Sequence, residues 1–391
     1  MQHRKKVAIF VVLLSLMLID VRPQSLAGND VDDYFIAAGS WAGWSVMNVN
    51  FPKSGADPLV TLCQLNFDIY HSSPSKFGII HELKAASRCA TKSVQITLSA
   101  LKADQEQDDD GVVISPTGFI FHQTRCGSTV VSNLLASSAQ NLVFSEVEAI
   151  RDIMKKHNRV PADVNTNYLR VVIRQLGRIT RQHREVGAGP MHTRLFFKFE
   201  TTSVIGMDSV LKAFPAVPWV FLYREPSAIL FSQLKKPACG FAYKKNPPQQ
   251  LLKFLMMTKK QAQRAPLPEY CAAYLGALGR SALASALTRV PTARFMHYDD
   301  HLAEDFLDDV LPVHFGVRVD KGWRQLALDS AQIYSKAYTL NQKKGIGDVR
   351  SHNKKTAHLA RWVRQYLQPV YKLLELWARE HAQRPYHQPK F

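Results

Sequence analysis

The chain contains no GxxxxGK[ST] loop, no GxGxxG turn, no GxSxG elbow, no CxxC pair and no HExxH pair. Those absences argue against a P-loop kinase or ATPase, a dinucleotide-binding dehydrogenase, a serine hydrolase of the α/β type and a zinc centre. Cysteine is scarce, at 5 in 391 residues, and there is no Asn-x-Ser/Thr acceptor for N-glycosylation. Acids are short as well, 32 against 50 lysines and arginines, leaving a formal charge of +18. Such a field favours an anionic partner and says nothing about fold.

Long apolar runs are missing too, apart from Val7 to Ile19, which follows His3-Arg-Lys-Lys and is closed by Asp20. A spanning helix wants about 20 apolar residues, so this run has the length of a secretory leader, and Ser25-Leu-Ala27 offers small residues for cleavage. Residues 1–27 are therefore expected to be a signal peptide, with an uncleaved signal anchor as the alternative. Either one sends the body of the protein into the secretory pathway, to the Golgi lumen or outside the cell, with membrane contact only through an anchor. In that oxidising setting, nearest-neighbour pairing joins Cys63 to Cys89 and Cys239 to Cys271 and leaves Cys126 over; five buried thiols are the alternative.

With 46% hydrophobic and 21% charged residues, the chain suits a large globular domain with a smaller appendage. Residues 28–103 form an aromatic, turn-rich N-terminal region with a helix-like stretch from Phe77 to Ser99. Residues 104–111 read as a solvated acidic linker. From Val112 to Phe391, short apolar runs alternate with amphipathic segments, which predicts an α/β fold on a mostly parallel sheet. Strands are expected at Gly118–His122, Leu195–Phe199, Trp219–Tyr223 and Ala293–His297, with a further strand's apolar run just before Glu146. Helices are expected over Thr129–Ala139, Glu146–Lys156, Asp163–Arg184, Ser227–Lys235 and much of Thr356–Ala382.

The segment Gly118-Phe-Ile-Phe-His-Gln-Thr-Arg-Cys-Gly-Ser-Thr-Val-Val passes from a strand through a small basic loop into a helix. Gly127 permits close backbone approach, the amides of Ser128, Thr129 and Val130 open the helix, and Arg125 adds a fixed cation. Together they make an anion site. A second segment, Val220-Phe-Leu-Tyr-Arg-Glu-Pro-Ser, ends a strand on Arg224 and starts a helix that carries Ser232 two turns on. Ligands of open α/β sheets bind beyond the carboxyl ends of strands, so Arg125 and Arg224 are expected to converge on one anion.

These residues resemble the sulfotransferase superfamily, and in particular its lumenal carbohydrate enzymes. Thr124-Arg-Cys-Gly-Ser-Thr is similar to the family's 5′-phosphosulfate loop, with Cys126 at a position where serine is common. Arg224 and Ser232 match the spacing of its 3′-phosphate pair. Leu195-Phe-Phe-Lys-Phe is similar to its lysine-bearing strand, which assigns Lys198 to the transferring group, and His297-Tyr-Asp-Asp-His-Leu resembles a segment before its closing helices. Asn341-Gln-Lys-Lys-Gly, with Lys344, resembles its basic nucleotide-covering loop, one residue short in spacing. The resemblance covers roughly Val112 to Gly347 and implies a P-loop-like three-layer fold there, leaving the small N-terminal domain unexplained. It also implies 3′-phosphoadenosine 5′-phosphosulfate (PAPS) as co-substrate and the bisphosphate PAP as product; the loop, with arginine and amides but no carboxylate pair, calls for no metal.

Sulfuryl transfer to a hydroxyl or amine needs a base for the acceptor proton. Ser145 and Glu148 have capping-box spacing, which leaves Glu146 at the helix start as the expected base; His122 is the competitor. Arg170, Arg174, Arg178 and Arg181 recur at helical spacing, and such a ridge is either solvated or fitted to an acidic polysaccharide. Nucleic acid is not expected beside a secretory leader without a recognised binding module. The rival to catalysis is a lumenal PAPS- or acidic-glycan-binding protein of the same fold.

Overall fold

Five short apolar runs build the centre of the molecule: β5 (Pro116–His122), β6 (Asn141–Ser145), β8 (Arg194–Lys198), β9 (Trp219–Tyr223) and β10 (Ala293–His297). In this computed structural model, which describes residues 40–331 and 359–381 except 74–75, 78–79, 108–111, 156–159, 180–191, 236, 238, 240–242 and 300, they form one sheet in the order β10-β9-β5-β8-β6. Every neighbouring pair is parallel. Both faces are covered, which is why these strands read as near-continuous hydrophobic runs rather than as an alternation.

Alternate residues feed two separate cores. Phe119, Phe121, Phe144, Phe197, Trp219 and Phe221 enter one, and Ile120, Val143, Phe196, Val220 and Leu222 enter the other. Helix α2 (Ser128–Ala136) covers the second face, while α3 (Glu148–Lys155), α4 (Ala162–Leu176) and α7 (Leu267–Leu287) cover the first. The predicted α/β three-layer class is what the chain adopts. Helix α7, with 21 residues, is apolar around its whole circumference and buried, so it carries no amphipathic stripe by which a sequence pattern would find it.

The N-terminal region is not a separate unit. Strands β1 (Ser45–Asn50), β2 (Leu59–Cys63) and β3 (Ser93–Thr97) form an antiparallel sheet whose Val46, Val60 and Leu62 share the first core with α3 and α4. The helix expected over Phe77–Ser99 is confined to Ile80–Ala86; beyond it the chain turns at Cys89 and pairs as β3 with β2. Cys63 is bonded to Cys89 and Cys239 to Cys271, with Cα separations of 5.6 and 5.4 Å, and Cys126 is a buried free thiol.

The segment expected as a solvated linker begins inside α1 (Leu98–Gln107), and Asp104 is buried rather than solvated. Its carboxylate takes Arg178 at 2.6 Å and the Trp41 amide at 3.2 Å. Arg178 is accordingly withdrawn from the expected arginine ridge, while Arg170 and Arg174 stay exposed on α4. Helix α4 stops at Leu176, Arg178 sits in the two-residue strand β7 (Arg178–Ile179), and Arg170 bonds the Ala213 carbonyl and Asn167. Gly177 ends the helix where β7 pairs with β4 (Val112–Val113). Arg181, Lys344 and the leader lie outside the described residues, and among the described residues no helix is long and apolar enough to cross a membrane.

His314 is 2% exposed and donates Nε2–H to the Trp219 carbonyl at 3.0 Å. Burial, with the nearby Arg294 charge, pushes its pKa down to about 4 from 6.5. With the folded value depressed, the unfolded chain takes up the proton first. Stability is then full above pH 6.5 and falls as pH drops from 6.5 to about 4, by at most ~3 kcal/mol. Denaturant midpoints at pH 7.5 and 4.5 should show this loss, and His314→Gln, whose amide keeps the donor, should flatten it.

Candidate active site

After β5 the chain crosses toward β6, and after β9 toward β10, so the strand order reverses between β5 and β9. That is where a crevice opens at the carboxyl edge of such a sheet. The loop there is left-handed: φ is 49° at Thr124, 54° at Arg125 and 76° at Gly127. For residues other than glycine this conformation is strained, and successive left- and right-handed residues turn their amides into an anion-binding concavity.

Several contacts hold the strained loop. His122, 3% exposed, accepts the Thr124 amide on Nδ1 at 3.1 Å, so it acts as a loop support. Gln123 Nε2 donates to the Leu275 carbonyl of α7 at 3.0 Å. Cys126 is fully buried and directs Sγ to the Leu222 carbonyl at 3.3 Å; of this residue only the backbone is left for a ligand. Gly127 is required twice over. Its φ is positive, and a Cβ there would overlap the Tyr298 ring and Leu302.

Arg224 closes the crevice. Its guanidinium donates to the Arg125 carbonyl at 3.2 Å and lies 4.6 Å above the Tyr298 ring, while its buried Nε makes no hydrogen bond. Thr129 Oγ1 is likewise buried without a partner at the start of α2. The Arg125 side chain, half-buried, has no hydrogen bond or ion pair among the described residues. The helix after Arg224, α6 (Pro226–Lys235), is capped by Glu225, which accepts the Ser227 and Ala228 amides at 2.9 and 2.6 Å. Ser232 lies about two turns along α6, partly exposed. An acid just before a proline that opens a helix was the sequence signal for that cap.

One strand further across the edge, Lys198 is 1% exposed and its ammonium is ion-paired to Glu146. Glu146 has φ 61°, and its amide donates to the Lys198 carbonyl at 2.7 Å, so the chain folds back over the end of β8. Helix α3 starts at Glu148, and the expected capping box is replaced by a long-range pair: Glu148 takes Lys84 Nζ at 2.7 Å. Burial by itself would raise the Glu148 pKa, but Lys84 and Arg151 hold it below the ordinary carboxylate value. Lys84 belongs to the N-terminal region, and no local pattern announces its partner. The expected residues from Arg125 to Val130, Arg224, Lys198, Glu146 and His122 thus meet at one sheet edge.

No family model matches the chain, and no curated protein matches it. Among solved structures it is similar to the sulfotransferase domain of the Synechococcus PCC 7002 olefin synthase, at 15% identity and a TM-score of 0.34, covering 70% of this chain and 98% of that one. It is also similar to the sulfotransferase domain of the curacin biosynthetic pathway, at 12% identity and a TM-score of 0.34, covering 71% and 100%. A Mycobacterium tuberculosis sulfotransferase matches at 15% identity and a TM-score of 0.36, covering 59% and 76%. With scores this low, the site's own residues carry the functional reading.

Gly127→Ala should lose both the left-handed turn and the Tyr298 contact. The expected cost is ~1–3 kcal/mol, read as a lowered denaturation midpoint, together with lost anion binding at the loop. An alanine variant as stable as the parent would contradict the loop geometry.

Proposed function

We propose that the chain is a PAPS-dependent sulfotransferase of the secretory pathway acting on a glycan. The carrying observation is the meeting of Arg224 with the left-handed Arg125 loop at the reversal of strand order. A bisphosphorylated nucleotide fits the unmatched groups there. The loop amides, Arg125 and Thr129 suit its 5′ end, and Arg224 with Ser232 suits its 3′-phosphate, while PAPS supplies the sulfuryl group. The two disulfides support an oxidising compartment.

Glu146 accepts the acceptor hydroxyl's proton as that oxygen bonds to sulfur, and Lys198 orients the carboxylate. As the S–O bond to the 5′-phosphate breaks, Arg125 and the loop amides stabilise the charge on the leaving phosphate. No metal is called for in this scheme. The pairing of Glu146 with a buried lysine at the anion site favours catalysis over a binding-only role.

Labelled PAPS and a glycan panel test this directly. Arg125→Ala should lower turnover ~10²-fold or more, comparable to losing a transition-state donor. Arg224→Ala should weaken PAP binding and erase discrimination against adenosine 5′-phosphosulfate. Equal binding of both nucleotides by the parent protein would sink the assignment.

Glu146→Gln should cut transfer ~10²- to 10⁴-fold. It also strands the Lys198 ammonium, so a drop in stability is expected alongside. The Glu146→Gln/Lys198→Met double variant separates the two effects, since it should recover stability without recovering transfer. Near-normal turnover in the single variant would remove Glu146 as the base.

A further inference from the structure

Between Glu225 and Glu269 the chain carries eight lysines and arginines and no acid, so this one segment contributes +8 to a formal charge of +18. Several exposed cations elsewhere sit beside carboxylates, as Lys102 does with Glu106, Lys212 with Asp208 and Arg324 with Asp308. In this segment the side chains of Lys245, Lys259, Lys260 and Arg264 are exposed and make no hydrogen bond or ion pair among the described residues. Their mutual repulsion is therefore left for an external anion to offset.

These cations are fixed on one surface. Lys244 Nζ donates to the Gln263 carbonyl at 2.6 Å and Gln263 Nε2 donates to the Lys245 carbonyl at 2.8 Å, so the turn at residues 243–246 lies against the helix Lys259–Arg264. Thr258 and Gln261 form a capping box at the start of that helix, and the Cys239–Cys271 disulfide ties the segment to α7. Leu251, Leu255 and Ala262 root it in the first core. Lys260 and Arg264, four residues apart, are separated by ~6 Å along the helix axis. Tyr243 of the same turn lines a concavity together with Arg151 and Lys155 of α3. Glu200 and Asp152 offset Arg151 at 3.2 and 3.5 Å, whereas Lys155 is exposed and has no carboxylate partner among the described residues. Glu200 is two residues beyond Lys198, so the basic surface reaches from the carboxyl edge of the sheet to Arg264.

We propose that this surface docks an acidic polysaccharide, a chain bearing carboxylate or sulfate groups at intervals. Cations spread over a turn and two helices suit charges repeated along a polymer better than one compact anion. Every exposed residue within 243–250 and 258–264 is polar, and Asn246 and Gln249 offer amide donors and acceptors to sugar hydroxyls. Met256 is the one large exposed apolar side chain between those stretches. A hydrated chain fits such a surface better than a membrane, which takes up an apolar face beneath the cations. The proposal rests on the sulfotransferase reading only for the claim that the docked chain is the acceptor; docking itself does not depend on transfer.

Binding of the full chain to immobilised hyaluronan and heparin oligosaccharides tests the proposal, with dextran as the neutral probe, phosphatidylserine vesicles as the lipid probe and equilibrium dialysis of PAP in parallel. An acidic oligosaccharide should bind, dextran should not, and the affinity should fall as salt rises. Lys260→Gln/Arg264→Gln should weaken that binding roughly tenfold. Arg318→Gln/Lys321→Gln removes the same charge from exposed positions beside Val317 and Trp323, in the core on the opposite face of the sheet, and should change it by no more than about twofold. Both variants should keep the parent's thermal midpoint and PAP binding. The proposal is overturned if neither acidic oligosaccharide binds, if the two variants lose affinity equally, or if the vesicles are bound in preference to the oligosaccharides. Absence of PAP binding in the parent, with acidic-chain binding intact and lost selectively in the first variant, would instead defeat the sulfotransferase reading and leave the docking surface standing.

Discussion

The left-handed backbone from Thr124 to Gly127 is the constraint on which the site depends. Two non-glycine residues with positive φ cost of order 1–3 kcal/mol each, so the loop survives only where its surroundings over-determine it. Here they come from four separate parts of the chain: the His122 ring at the end of β5, the Leu275 carbonyl of α7, the Leu222 carbonyl of β9, and Arg224 with Tyr298 beyond β9 and β10. The loop is therefore a product of the whole sheet edge. Its amides are set in place before any ligand arrives, which is what electrostatic stabilisation of a leaving phosphate requires.

Glu146 repeats the device two strands over, at the end of β6. A left-handed residue is again stabilised by a neighbouring carbonyl and a buried cation, and it is the residue proposed above as the proton acceptor. The N-terminal layer braces this half of the site. Lys84 holds Glu148, Phe67 packs edge-on against Phe144 at 5.5 Å, and the Asp104–Arg178 pair ties α1 to the end of α4. Removing one partner of a buried pair such as Asp104–Arg178 typically costs about 3–5 kcal/mol, so α1 is structurally coupled to the end of α4.

Much of this was legible locally. Apolar runs bounded by turn residues located β9 and β10 to the residue, because strands buried on both faces leave an unbroken hydrophobic signature. The glycine and arginine spacing singled out the loop at Gly127 and the strand end at Arg224, which the fold brings together at one sheet edge. Nearest-neighbour pairing found the disulfides, Cys63 with Cys89 and Cys239 with Cys271. Helix α7 escaped because a helix apolar on every side has no period, and β3 escaped because its strand character depends on β2.

By itself, then, the sequence determined the alternation of strand and helix and the place of the left-handed loop between β5 and α2, for these depend on neighbours within a few residues. Tertiary structure decided what each polar group is for. It turned Cys126 into a core thiol and Glu148 into the partner of Lys84. It also buried Arg178 against Asp104, taking it out of the ridge that helical spacing alone would draw. The physical reason is that hydrogen bonds and ion pairs between residues 64 to 96 positions apart leave no trace in local pattern, yet burial makes them decisive.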